Sequence, residues 1–181
     1  MVPKSDEAVF GEVQAGSHEA FAVLVERYQR RAFAVALRIL GSRPEAEDAV
    51  QQTFLRVYEN RAAYRPRFKL NTWLYRILIN TCVDELRRRR PVVSLEDAKL
   101  PATESPDWAA SRSERDRHLQ AALATVPLEA RIVLTLYYGD GRSYQEIGSI
   151  RGTSVNTVKT HLRRGRLALR KALLARGVDG S

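Results

Sequence analysis

The side chains best suited to chemistry lie near the C-terminus, on what reads as a single helix. Asn156, Thr157, Lys159, Thr160, Arg163, Arg164 and Arg166 share one side, and Val155, Val158, Leu162, Leu169 and Leu173 make the apolar stripe opposite. Amides, hydroxyls and guanidiniums are the groups that match base edges and phosphates in a major groove. Ser154 is placed to cap this helix. Before it comes a short helix over 143–150, with Ile147 and Ile150 apolar, and then the turn Arg151-Gly152-Thr153. Gly152 permits the tight turn, and Gly148 is expected to let the second helix cross closely. Helix, glycine turn and capped polar helix together read as a helix-turn-helix. A merely solvated basic helix would have the polar face without these supports. His161 reads equally as a DNA contact, as solvated or as packed.

A second basic block runs from Arg61 to Arg90. Aromatic residues are interleaved with cations: Tyr64, Arg65, Arg67, Phe68, Lys69, Trp73, Tyr75 and Arg76. Cations track a phosphate backbone, and aromatic or pocket surfaces hold unstacked bases. Arg76, Asn80, Asp84 and Arg87 recur every three or four residues, so they share a helix face, with Asn80 as an uncharged donor and acceptor in its middle. Trp73 reads as core. The run Arg87–Arg90 fits a solvated helix end as well as it fits phosphate contact.

Other chemistry is not supported by the residues. The one cysteine, Cys82, lies beside Leu78 and Leu86 at helical spacing and reads as a buried thiol. The histidines at 18, 118 and 161 are far apart, so no metal site or cofactor is expected. Glu45, Glu47 and Asp48 are the densest carboxylate set, and a metal-dependent nuclease would have to use them. Acids in a first helical turn are explained by the helix dipole. With Gln51, Gln52 and Leu55 they also form a surface that repels DNA and suits a protein partner.

The elements that must position these residues read as helical almost throughout, with no strand alternation bounded by hairpin turns. Helices are expected over 6–14, from a Ser17 cap to a Gly41 stop, from a Ser42–Glu45 capping box to about Asn60, and from residue 70 or 71 to the stop at Pro91. Residues 62–70 form a basic loop. Shorter helices follow over about 112–125, 128–138, 143–150 and 154–176. Residues 91–111 hold three of the seven prolines among Ser, Ala and acids, the composition of a linker, with Trp108 expected to dock on one of the two halves. Its span is ~70 Å when fully extended. The fold class is therefore all-α: two small helical domains, 1–90 and 112–181, joined by a flexible linker, the second a helix-turn-helix domain.

The 181 residues carry a net charge of +9, distributed unevenly. Residues 61–90 and 141–181 each hold nine basic and two acidic side chains, +7 apiece, while everything else sums to −5. Two polyanion-facing surfaces, one per half, account for that pattern better than general basicity does. No apolar run reaches the ~18 residues of a membrane span, and the N-terminus has no basic-then-apolar signal pattern, so a cytoplasmic protein with no membrane insertion is expected.

Three stretches carry a family resemblance: DAVQQTFLRVYEN (48–60), NTWLYRILINTCVDELRRR (71–89) and PLEARIVLTLYYGDGRSYQEIGSIRGTSVNTVKTHLRRGRLALRKAL (127–173). In this order, with a proline-rich linker, they resemble the extracytoplasmic-function (ECF) group of bacterial RNA polymerase sigma factors, which keeps sigma domains two and four. The resemblance covers roughly residues 8–90 and 112–175. It implies that Asp48, Gln51, Gln52, Phe54 and Leu55 dock on the clamp coiled coil of the polymerase beta-prime subunit. It implies that Tyr64, Arg65, Arg67, Phe68, Lys69, Arg76, Asn80 and Arg87 melt and read the minus-ten element. It gives Asn156, Thr157, Lys159, Thr160, Arg163, Arg164 and Arg166 to the minus-thirty-five element, and the helix from Leu128 to the beta flap. Factors of this group are usually held by an anti-sigma partner. Arg151 and Thr153-Ser154 stand where the family commonly has leucine and Ile-Pro.

These implications describe a transcription initiation factor, not an enzyme. There is no GxxxxGK[ST] loop to couple melting to nucleotide hydrolysis. Capture of unstacked bases offsets the few kcal/mol that each unstacking costs. Two tethered weak sites gain affinity through effective concentration. A stand-alone helix-turn-helix regulator with a sensory N-terminal half is the rival reading, and tight, specific duplex binding without polymerase would favour it.

Overall fold

The computed structural model describes residues 4–89 and 114–177. All regular structure in these residues is helical. The linker at 91–111, with its Trp108 docking, and Arg90 of the arginine run lie outside the described residues.

The first half is a bundle of four helices: α1 (Asp6–Gln14), α2 (His18–Leu40), α3 (Arg43–Glu59) and α4 (Leu70–Arg89). Local signals set most boundaries. Ser17 accepts from Ala20 N at 3.1 Å to start α2, and Gly41 ends it in the left-handed region, φ 76°. Leu24, Tyr28, Ala32, Val35 and Ile39 recur at the helical period and are buried, and α2 packs against α1, α3 and α4. The α4 side of this core is Leu74, Leu78, Ile79, Cys82 and Leu86. Burial pushes the Cys82 thiol up to about 12, so it is an inert thiol, as its spacing suggested.

The capping box expected at Ser42 does not form. Ser42 makes no side-chain cap bond, and the Glu45 carboxylate pairs instead with Arg89 near the end of α4. A guanidinium brought alongside by tertiary packing outcompetes the local backbone N–H for that carboxylate. Pro44 still opens the helix from its first turn.

The second half comprises α5 (Glu114–Ala124), α6 (Leu128–Leu134), α7 (Tyr144–Arg151) and α8 (Val155–Leu174). A single π turn, Thr135–Gly139, continues α6. The helix expected over 128–138 therefore changes its winding partway. Ser143 and Glu146 form a reciprocal capping box at α7. Only Val158, Leu162 and Gly165 of α8 are fully buried, while Leu169 and Leu173 remain partly exposed. The close helix crossing is at Gly165, where a Cβ would lie 2.9 Å from the Leu134 side chain. Over Gly148 lies the Thr153 carbonyl, 2.9 Å from a Cβ built there, with Val158 Cγ2 of the crossing helix at 4.0 Å, so this glycine makes room first for the turn and is also met by the second helix. Gly152 adopts φ 65°, as the turn demands.

Candidate nucleic-acid interface

The turn before α8 is pinned on both sides. Ser154 Oγ accepts from Thr157 N at 3.1 Å, and Arg151 makes a forked pair with Glu129, 2.7 and 3.2 Å, tying the turn to the start of α6. The arginine standing at the family's usual leucine position thus has its own carboxylate. With the helix start fixed, Asn156, Lys159, Thr160, Arg163, Arg164 and Arg166 are exposed along α8 and Thr157 is half-buried. The Thr160 hydroxyl donates to Asn156 O at 3.0 Å, and the Thr157 hydroxyl is shared with Ser154 Oγ at 2.9 Å. The amide of Asn156 and the cations of Lys159, Arg163 and Arg164 are therefore the groups best placed to reach a ligand.

The basic loop before α4 is held from α1. Gln14 Nε2 donates to Arg61 O at 2.7 Å and Tyr64 O at 3.3 Å. Glu7 Oε1 accepts from Leu70 N at 3.1 Å and so caps the start of α4. Tyr64 is buried, its ring 5.1 Å from Phe10 and 5.2 Å from Trp73 by centroids, and its hydroxyl donates to Phe68 O at 2.8 Å. Phe68 points the other way and is 47% exposed. The loop thus sorts its aromatics: Tyr64 and Trp73 face inward, while Arg65, Arg67, Phe68 and Lys69 face solvent. Sequence reasoning misses Glu7 and Gln14. Their one local signal is that they lie seven residues apart, on one face of α1.

On α4 the expected face is present but its members are differently engaged. Asn80 is exposed. Asp84 lies 3.7 Å from both Arg56 and Arg87, so the charge of Arg87 is partly offset. Arg76 reaches into the second half of the chain, where it donates to Ser149 O at 2.8 Å and more weakly to Ile150 O at 3.4 Å.

Two further surfaces stand apart from these. On α3, Asp48, Gln51, Gln52 and Leu55 are exposed, Leu55 by 49%, while Phe54 is only 7% exposed and meets Phe21 edge-on. Of the acidic set, Glu47 pairs with Arg43 at 2.8 Å and Glu45 with Arg89, so Asp48 gives that face its charge. On the second half, Leu134, Tyr138, Leu169, Leu173 and Leu174 line an apolar groove of about 580 Å³ between α6, the π turn and α8. Among the described residues no helix is long and apolar enough to cross a membrane, and no group of three His, Cys, Asp or Glu is placed to hold a metal ion.

Comparison with known proteins matches both halves. The family model for Sigma-70 region 2 matches residues 24–92, and that for Sigma-70, region 4 matches residues 116–169. The ECF RNA polymerase sigma factor SigW of Bacillus subtilis is 36% identical over 175 residues, covering 90% of this chain and 93% of that protein. Among solved structures, CnrH in complex with the cytosolic domain of CnrY has a TM-score of 0.74 at 26% identity, covering 95% of this chain and 99% of CnrH. The sigma factor RpoE of Bartonella quintana, solved with the anti-sigma factor NepR, shares the fold with a TM-score of 0.67 at 23% identity over 84% of this chain and 96% of that one.

Proposed function

The chain belongs to the extracytoplasmic-function group of RNA polymerase sigma factors and directs the polymerase to promoters, and on that premise we propose how its residues divide the work. Residues 1–90 act as domain two, 112–181 as domain four and 91–111 as the tether. Asp48, Gln51, Gln52 and Leu55 meet the beta-prime clamp coiled coil, with Phe54 supporting them from the core. Arg65, Arg67, Phe68, Lys69, Arg76, Asn80 and Arg87 meet the melted minus-ten strand, on a loop whose shape Tyr64 sets. Asn156, Thr157, Lys159, Thr160, Arg163, Arg164 and Arg166 face the minus-thirty-five duplex. The apolar groove at Leu134, Tyr138 and Leu173 receives the beta flap. An anti-sigma factor is the expected further partner, as NepR is for RpoE.

The observation that carries this reading is the pair of exposed polar faces, one around Asn80 on α4 and one from Asn156 to Arg166 on α8. They stand in separate helical units, each inside a matching sigma region. Melting then needs no fuel: an exposed aromatic such as Phe68 offers a stacking surface, and cations hold the strand. The test is transcription by purified core polymerase on a promoter library, with and without the chain. The expected result is a set of new start sites sharing two sequence elements at fixed separation. Identical transcripts in both reactions would overturn the reading.

A further inference from the structure

The polar helix α8 is tied to α6 at two points. Ten residues after Val155, a Cβ on Gly165 would lie 2.9 Å from the Leu134 side chain and 3.2 Å from Ala130 O, so the two backbones nearly touch there. At the start of α8 the tie is indirect. Arg151 ends α7, three residues before the Ser154 cap, and its Nη2 and Nε donate to Glu129 Oε1 and Oε2 at 2.7 and 3.2 Å. Otherwise α6 and α7 make few contacts with each other, since α7 packs mainly on α8 and α4. The first turns of α8 ride on α7, with Val158 Cγ2 4.0 Å from a Cβ built on Gly148. The ion pair therefore sets how far α7, and with it the N-terminus of α8, stands from α6.

This pair is suited to holding a distance. Glu129 lies in the first turn of α6 and Arg151 in the last turn of α7, the helix ends whose dipoles favour those charges. Their side chains are 30% and 17% exposed, so water and salt screen them only in part. A forked guanidinium–carboxylate contact fixes both a separation and a plane, which an apolar contact does not. The turn itself is closed from within α7, by Gly152 N and Thr153 N donating to Gly148 O. With α8 held at Gly165 alone, a pivot of about 5° would move Asn156 by about 1 Å, at about 1.5 Å of rise per residue. A productive contact tolerates about half of that.

We propose that Arg151 and Glu129 are positioning residues for minus-thirty-five reading. Neither touches DNA, and together they set the angle at which Asn156, Lys159 and Arg163 enter the major groove. The proposal rests on the assignment of α8 to the minus-thirty-five element. It gives a role to the arginine that stands where the group commonly has leucine.

The test uses holoenzyme assembled from core polymerase and the full chain, carrying Arg151→Leu, Glu129→Gln or both. Glu129→Gln keeps the shape of the side chain and removes its charge. Competition binding is read on labelled versions of a promoter that the wild-type factor selects, each with one base pair changed in the minus-thirty-five or the minus-ten element. Each single variant should lose about fivefold of its preference for the original minus-thirty-five base pairs, the low end of what one base contact discriminates. The double variant should lose no more than either, because residues that act as one pair are not additive. Preference at the minus-ten element should stay as in the wild type. So should the slope of log affinity against log salt, because the fork holds a carboxylate and no phosphate.

A folded variant with wild-type minus-thirty-five preference overturns the positioning role, even if its melting temperature falls. A salt slope lowered by about 0.9 in Arg151→Leu makes Arg151 a direct phosphate contact and overturns it too. Single losses that add up in the double variant overturn the pair. If Arg151→Leu loses its helical circular dichroism, Glu129→Gln alone repeats the test. Lys159→Ala with Arg163→Ala separates this proposal from the one beneath it. If that variant also keeps its minus-thirty-five preference, the assignment of α8 has failed and the positioning falls with it. If it loses the preference while the pair variants keep theirs, positioning alone has failed.

Discussion

The Tyr75 hydroxyl donates to Asp140 Oδ1 at 3.0 Å although the two residues are 65 positions apart. Burial first, and the charge of Asp140 second, push the Tyr75 phenol up to about 12, against the opposing pull of Arg142. A phenol whose folded value is raised adds stability that is complete below its unfolded value of 10.0 and is lost as pH climbs from there through about 12. Tyr75→Phe keeps the ring under Arg142 and has no proton to lose. In denaturant unfolding, the wild-type advantage over Tyr75→Phe should therefore be constant near neutrality and shrink across that alkaline window. An advantage that does not change there would remove Tyr75 as the titrating group.

Arg131 is fully buried with its fork spread over three carbonyls: Ile39 O at 2.9 Å, Ala124 O at 3.1 Å and Val126 O at 2.9 Å. Burial lowers its guanidinium to about 10, so it remains charged at neutral pH. It ties the α5–α6 junction to the end of α2. Arg131→Lys keeps the charge but a single ammonium cannot span that fork. We expect a loss of about 2–4 kcal/mol in thermal or denaturant unfolding, from charge-assisted bonds broken and carbonyls left unpaired. A change below about 0.5 kcal/mol, the usual range for surface substitutions, would mean that the fork is not what holds this junction.

Lys159 and Arg163 are exposed on α8, one turn apart. Replacing both with alanine should weaken recognition of a minus-thirty-five duplex by about 1–3 kcal/mol for each side chain that reads a base edge. Core polymerase binding should survive, because the α3 face and the apolar groove are untouched. Loss of both activities in pull-down and promoter-binding assays would refute the division of labour between the halves.

How much of this was legible in the sequence depended on the reach of each interaction. Ser17, Gly41 and Ser154 act within a few residues of themselves, and the helix ends they mark are where their types placed them, as is the turn at Gly152. The α8 face was legible because one helical period sorts it into Val158 and Leu162 inside and Lys159 and Arg163 outside. The loop was not: Tyr64 and Phe68 are both aromatic, and Gln14 and Glu7, 50 and 63 residues before the backbone groups they hold at Tyr64 and Leu70, select the inward one. Glu45 failed as a capping residue for the same reason, since its partner Arg89 comes from another helix. Donors such as Gln120 and Arg76 that end on distant backbone carbonyls leave no pattern in a sequence, because every residue has a carbonyl.

Gln51 and Leu55 are exposed one turn apart on α3, and neither supports the core. Their joint replacement by alanine should leave unfolding almost unchanged while weakening affinity for the isolated beta-prime clamp coiled coil. A Leu side chain taken out of an interface costs about 1–2 kcal/mol, a roughly tenfold effect. Titration of the labelled coiled coil checks this. Unchanged affinity would count against α3 as the polymerase-facing helix.

Asn80 is the one exposed uncharged donor and acceptor on the polar face of α4, between Arg76, which is engaged with α7, and Asp84, which sits between two arginines. In its place alanine keeps the helix and removes the amide, so the domain should fold and dock as before. What disappears is a hydrogen bond to a base that is available only once the strands part. Asn80→Ala should therefore lower open-complex formation on a promoter carrying a fluorescent base in the minus-ten element, with little change in closed-complex binding. The expected fall is about fivefold to tenfold, the worth of one hydrogen bond of ~1–1.5 kcal/mol. Equal melting by wild type and variant at matched occupancy would take Asn80 out of base reading and leave Phe68 and the loop cations to hold the strand.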